Sequence, residues 1–357
     1  MCLQRETRHG SIYRHESIHG KVEIHTFWLS FTFISLLLFL SSCSNTSNTL
    51  TGTEQPAKTH STTNTSNPTH TSSGDTTQTD INRSTQLALL HNYFGPNGWL
   101  WRTALPDNRL VIYYGNPLSP VMGPLGAYSD DELITKLHAQ AQVYADLDPT
   151  HPVVPAFDYV TPVAQPVPMQ DGSWVYRMPD DSIEHYADLA YSNHMLFFFD
   201  MQIGHSPIQK EVNILWPYLQ RPGVDLALDP EFDMAPGAVP GVQFGRMYAS
   251  EINWVIDRLS NLVLTQHLPP KILIIHQFLP EMLPDWQNIK LKPGVELVTC
   301  VDGFGSPAAK SDDYQVFDKM QLIQYPGMKL FYNLDKPLMS PADVLALDPS
   351  PVMVMYQ

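Results

Sequence analysis

Cysteine is nearly absent from this chain. There are three, Cys2, Cys43 and Cys300. Two fall in the first 43 residues, so a folded domain further on has no disulfide framework. Positive charge is scarce too. Against 36 Asp and Glu there are 21 Lys and Arg, a net charge of -15. That balance argues against nucleic acid as a partner, because binding it needs a basic patch to release phosphate counterions. Charged residues make up only 16% and hydrophobic residues 43%, which is a globular balance. No apolar run is long enough to span a bilayer comfortably. A Gly-rich phosphate loop is missing, which removes the main support for a nucleotide-binding open sheet. Beyond residue 85 no His-x-His or His-x-x-x-His spacing occurs, so a zinc site has little support.

The basic residues Arg5, Arg8, Arg14 and Lys21 precede an apolar run, 27–40, with the length of a signal-peptide core. The run ends in Leu40-Ser41-Ser42-Cys43. This resembles the bacterial lipoprotein signal. The resemblance implies that Cys43 carries lipid and opens the mature chain. The expected location is the extracytoplasmic face of the cell membrane, held by the lipid anchor alone. Residues 44–84 are Ser, Thr and Asn with few apolar side chains. Such a segment cannot offset its ordering entropy and reads as a disordered tether. The domain boundaries are therefore 1–43, 44–84 and 85–357.

The third segment alternates between strands and helices. Strands are expected at 110–114, 153–157, 195–199, 272–275, 296–301, 329–332 and 352–355, and the stretch 224–234 reads as the fourth strand running into a loop. Ser129 with Glu132 forms a capping box for one helix, and Asp181 with Glu184 for another. Further helices are expected from Ser206-Pro207, over 250–266 and 313–323, and from Ser340-Pro341 to Leu347. Eight strands alternating with helices make an α/β protein of the (β/α)8 TIM-barrel type. The last helix is lacking, and 86–94 is a candidate to replace it. An open doubly wound sheet is the alternative. Cys300 lies inside the sixth strand, where a thiol reads as buried and inert.

The chain's chemistry gathers where strands end. In the stretch 224–234, Asp225, Ala227, Asp229 and Glu231 alternate with Leu226, Leu228 and Pro230. One face is apolar and the other small and acidic. Other strands end at Asn116, Asp158, Asp200, His276, Asp302 and Tyr356. In a barrel these share the carboxyl rim, where such folds keep their chemistry. Like charges crowded there raise one another's proton affinity and are rarely kept for stability. Glu231, set between Pro230 and Phe232, is the acid expected to hold its proton.

Asp-Pro-Glu-Phe-x-Met from Asp229, His-Gln-Phe from His276 and Val-Asp-Gly-Phe-Gly from Val301 resemble an uncharacterised group of bacterial secreted and lipoprotein sequences. The Asp-x-Glu also resembles, more distantly, glycoside hydrolase barrels of the chitinase-like and lysozyme-like kinds. That resemblance implies Glu231 as proton donor and Asp229 as the group that steadies the substrate. The chitinase-like pattern has an Asp four residues before the Glu, and here Ala227 stands in its place.

Three functions follow. The first is a glycoside hydrolase with Glu231 as acid and Asp229, Asp200 or Asp302 as base, nucleophile or stabiliser. His276 would assist, and Asp158, Tyr159, Trp174, Tyr176, Phe232, Phe304 and Tyr356 would line the glycan. The second is a metal-dependent hydrolase or isomerase with Asp200, Asp229, Glu231, His276 and Asp302 as ligands, joined by His205. The third is a tethered carbohydrate-binding or interaction protein without catalysis. The leading reading needs no cofactor or metal, and its partner is a glycan or another small polar substrate.

Overall fold

The computed structural model describes residues 105–357. The leader, Cys43, the tether and the helix expected at 86–94 lie outside the described residues. Eight parallel strands close into a barrel. They are β1 (Arg109–Gly115), β2 (Val153–Val160), β3 (Leu196–Met201), β4 (Val224–Leu228), β5 (Lys271–Gln277), β6 (Val295–Val301), β7 (Tyr325–Leu330) and β8 (Met353–Tyr356). Each strand pairs with its sequence neighbours, and β8 pairs with β1 to seal the cylinder. The (β/α)8 expectation therefore holds, and the open sheet is discarded.

Strand residues are buried on both faces and sort by parity. Leu110, Ile112, Tyr114, Ala156, Phe198, Ala227, Ile274, Val298, Cys300, Met353 and Met355 pack together inside the barrel. Val111, Phe157, Phe199, Leu226, Leu228, Leu273, Leu297, Met328 and Val354 pack outward with the helices. The amphipathic reading of β4 follows this division.

The covering helices are α1 (Asp130–Leu147), α2 (Asp180–Ser192), α3 (Ile208–Leu219), α4 (Ala249–Gln266), α5 (Pro307–Tyr314) and α6 (Pro341–Leu345). The capping box at Ser129 and Glu132 is present. The one expected at Asp181 and Glu184 is not, because the helix opens two residues earlier, after Pro179, with no side-chain cap. The helix expected over 313–323 begins sooner. Ser306 accepts from the Ala309 amide, Pro307 takes the first helical position, and a π-helical stretch, Gln315–Met320, follows. Between β5 and β6 there are only two 3-10 turns, Pro280–Met282 and Trp286–Asn288.

The seventh strand begins four residues sooner than expected, at Tyr325, and ends two sooner, at Leu330. Pro326-Gly327 looks like a turn that precedes a strand, yet both residues lie within β7. A Cβ at Gly327 would come within 2.7 Å of Met353 Cε and 2.8 Å of Val298 Cγ1. Glycine is there because three strands fill the barrel at that level. At the amino end of the barrel, Asp225 Oδ1 accepts from the Ile272 amide at 3.1 Å and Glu296 Oε2 from the Leu105 amide at 3.2 Å. Lys271 Nζ donates to the Arg221 and Val224 carbonyls, each at 2.7 Å.

Candidate active site

Inward parity carries seven polar side chains to the carboxyl mouth. Tyr114, Asp158, Asp200, His276 and Lys329 come from β1, β2, β3, β5 and β7. Asp229 and Asp302 follow directly on β4 and β6. Asp158, Asp200 and His276 are fully buried, and Asp229, Asp302 and Lys329 nearly so.

His276 stands at the centre. Its Nδ1 lies 3.2 Å from Asp302 Oδ2. Its Nε2 lies 3.8 Å from Asp158 Oδ2 and 3.9 Å from Asp200 Oδ1. Burial and the Lys329 charge oppose a proton on the imidazole. Cys300 and the carboxylates of Asp158 and Asp302 outweigh them and hold His276 well above its usual pKa. Lys329 Nζ sits 3.6 Å from the centre of the Tyr114 ring and 3.9 Å from Asp302 Oδ2. Burial alone would raise Asp302, but His276, then Lys329 and Lys310, hold its pKa below the ordinary value.

The strand β4 ends at Leu228, and Glu231 lies on a 3-10 turn, Pro230–Phe232. Asp229 and Glu231 therefore do not share one strand face, as the alternation suggested. Two backbone bonds pin the turn. Phe232 N donates to Asp229 O at 3.1 Å and Gly245 N to Glu231 O at 2.5 Å. The Asp229 amide is tied to Met201 O at 3.3 Å, which joins the turn to β3. Glu231 is only half-buried, while Asp229 is buried. The drier acid is thus Asp229, contrary to the expectation from its neighbours. Both hold protons more firmly than usual. Asp229 is raised well above its ordinary value by burial, then by the charges of Glu231 and Asp200. Glu231 is raised to about 8 by burial, then by Asp302, with Lys329 and His276 opposing. Asp200 rises to about 6, mainly through burial.

Asp158, Asp200, Asp229, Glu231, His276 and Asp302 thus meet as one constellation. The aromatic residues assigned to glycan binding divide. Tyr159 and Tyr356 point outward into the helical layer. Tyr159 bonds to Ser182 Oγ at 2.8 Å, and Tyr356 to Tyr144 Oη at 2.8 Å. Each follows an inward residue, Asp158 or Met355, and strand geometry sends it to the other face. Tyr176 packs against the same outer core. Trp174 lies in the excursion after β2 with its ring edge-on to His205, 5.1 Å between centres. His205 Nε2 is 2.7 Å from Ala238 O, a loop contact. Phe232 is half-buried on the acidic turn, and Phe304 is 40% exposed beside Asp302 in sequence. Asn116 is structural. Its Nδ2 donates to Val160 O and its Oδ1 accepts from the Leu118 amide, each at 2.9 Å.

No protein-family model and no curated protein matches this chain. Its fold is similar to that of a GH5-4 broad specificity endoglucanase from an uncultured bacterium. That likeness has a TM-score of 0.32 at 10% identity, over 56% of this chain and 72% of the endoglucanase chain.

Sequence reasoning missed Lys329, Tyr114, Gln202, Lys310 and Asp335. Gln202 Nε2 lies 3.3 Å from Tyr114 Oη and 3.5 Å from Asp229 Oδ2. Asp335 accepts the Gly305 and Phe331 amides, each at 2.8 Å, and Lys310 Nζ donates to Gly303 O at 2.5 Å. These two brace the loop that follows Asp302. A lysine within the apolar run Met328-Lys329-Leu330 was the available signal for the first of them.

Proposed function

We propose that the protein is a glycoside hydrolase of the cell envelope, held there by lipid on Cys43. The observation that carries the reading is the convergence of five carboxyl groups from four strand ends at one barrel mouth. Of these, Glu231 alone is not buried. A partly buried carboxylic acid that keeps its proton near neutral pH is suited to protonating a leaving glycosidic oxygen. Asp302, held ionised by His276 and Lys329, is suited to the partner role of base or nucleophile. Phe232 and Phe304 adjoin these two acids in sequence and offer apolar faces to a sugar ring.

The test is release of reducing ends from a panel of bacterial and fungal cell-wall glycans across pH 5 to 9. The acid must be protonated to act. The rate on a cleaved glycan is therefore expected to fall as pH rises through about 8. No cleavage across the panel, or a rate still climbing well above that pH, would remove Glu231 as the acid.

The anchor is tested separately. The Cys43→Ser variant is expected to leave the membrane fraction. Retention of the full-length variant in that fraction would mean that the apolar run 27–40 itself anchors the chain.

A further inference from the structure

Beneath the proposed acid and base the mouth holds an arrangement that shares His276 with them but has a chemistry of its own. Neither oxygen of Asp158 and neither oxygen of Asp200 has a hydrogen-bond partner, although both side chains are fully buried. Neither ring nitrogen of His276 has a well-formed one, Nδ1 lying 3.2 Å from Asp302 Oδ2 as an ion pair. An ionised carboxylate removed from water costs several kcal/mol unless something compensates it. Two such groups lie side by side with no well-formed hydrogen bond, the nearest cationic atom being His276 Nε2 at 3.8 and 3.9 Å, and that gap is one a bound cation would close.

We propose that Asp158, Asp200 and His276 bind one divalent cation, of the Mn2+ or Zn2+ kind, at the floor of the barrel mouth. One ligand atom from each residue lies within 4.8 Å of the others. Donors about 2.1 Å from a shared ion sit roughly 3–4 Å apart. The two His276 Nε2 to carboxylate distances, 3.8 and 3.9 Å, fall in that range. The ligands come from β2, β3 and β5, so the closed sheet fixes their spacing.

The far side of the ring supports the assignment. Asp302 Oδ2 stands 3.2 Å from Nδ1 and leaves Nε2 to face the two carboxylates. A carboxylate behind the distal nitrogen is the usual way a metal-ligating histidine is oriented. Two carboxylate oxygens with one imidazole and no thiolate suit Mn2+ or Zn2+ better than a soft ion. Only a neutral imidazole ligates, so binding displaces a proton from His276. Three protein ligands leave positions open, which water or the hydroxyl oxygens of a polyhydroxy substrate would fill. Asp158 thereby moves from lining the substrate to holding an ion.

The site does not depend on glycan cleavage, and its test uses no substrate. The EDTA-dialysed protein is titrated with MnCl2 or ZnCl2 at about pH 7.5, with MgCl2 and CaCl2 as comparators. The expected result is one ion per chain, bound more tightly than roughly 0.1 mM, with a Tm that rises with metal concentration. Asp200→Asn and His276→Gln should each weaken binding on the order of 100-fold. Should either variant fail to fold, X-ray absorption on the metal-loaded wild type decides the matter, by finding one imidazole nitrogen among oxygen donors. No saturable binding, undiminished binding in the folded variants, or a coordination sphere without nitrogen would each overturn the site. None of these outcomes bears on whether Glu231 protonates a glycan.

Discussion

Glu231→Gln is expected to lower turnover on a cleaved glycan by about two orders of magnitude or more, with substrate binding retained. Glutamine keeps the shape of the side chain and the turn that carries it, but has no acidic proton to give. Folding should not suffer. The folded-state pKa of Glu231 is raised from 4.5 to about 8. Ionisation thus costs the native state stability as pH climbs from the lower value to the higher. A neutral amide escapes that cost, so the variant should be at least as stable as wild type at pH 8. Its rate should also lose the alkaline limb. Asp229→Asn should impair turnover as well, and the double variant should lose less than the sum, because the two acids interact. A Glu231→Gln protein that matches wild type in rate would end the assignment.

Lys329→Met is expected to cost about 3–5 kcal/mol of unfolding free energy near neutral pH, the usual penalty for breaking a buried charge pair from one side. Lys329 is the cation nearest Asp302 apart from His276, and both members of the pair are nearly wholly buried. Its own pKa is raised against burial by Asp302, Asp200 and Asp229. The stability it supplies is therefore full at neutral pH and is lost only as pH rises past its folded value. In the variant the acids of the mouth lose a counter-charge and bind protons more firmly. Acids whose folded pKa is raised weaken the native state as pH rises above their unfolded values. The deficit should then be largest at neutral and alkaline pH and should shrink toward pH 4–5. Urea unfolding at several pH values measures it. An unchanged midpoint at pH 7 would mean that Lys329 does not neutralise the mouth.

The acidic constellation was legible because a strand has a period of two. Ala227 lies inward, so Asp225 and Asp229 do too, and every other strand except the seventh offers a polar residue just where its apolar run stops. The same period explains two of the failures. Tyr159 and Tyr356 sit one residue beyond an inward position, so they belong to the helical layer, however close to the mouth they lie in sequence. Lys329 was missed for a different reason. A Pro-Gly pair looks like a turn before a strand, and on that pattern Pro326-Gly327 makes the lysine a first residue instead of one near the end. Only the packing of Met353 and Val298 around Gly327 shows why a glycine belongs inside that strand. The greater dryness of Asp229 compared with Glu231 depends on where β4 stops and the 3-10 turn begins. Local sequence carries no sign of that boundary beyond Pro230.

The seam between β1 and β8 has a mechanical meaning. The chain enters β1 at its amino end, where the Leu105 amide is tied to Glu296. On one side β1 pairs in parallel with β2 from Arg109 to Gly115, and on the other with β8 from Leu110 to Tyr113. Parallel ladder bonds run across the strands, so a pull along β1 loads both ladders in shear instead of peeling them bond by bond. Force arriving through the preceding chain would meet the two ladders together, at the strand that closes the cylinder.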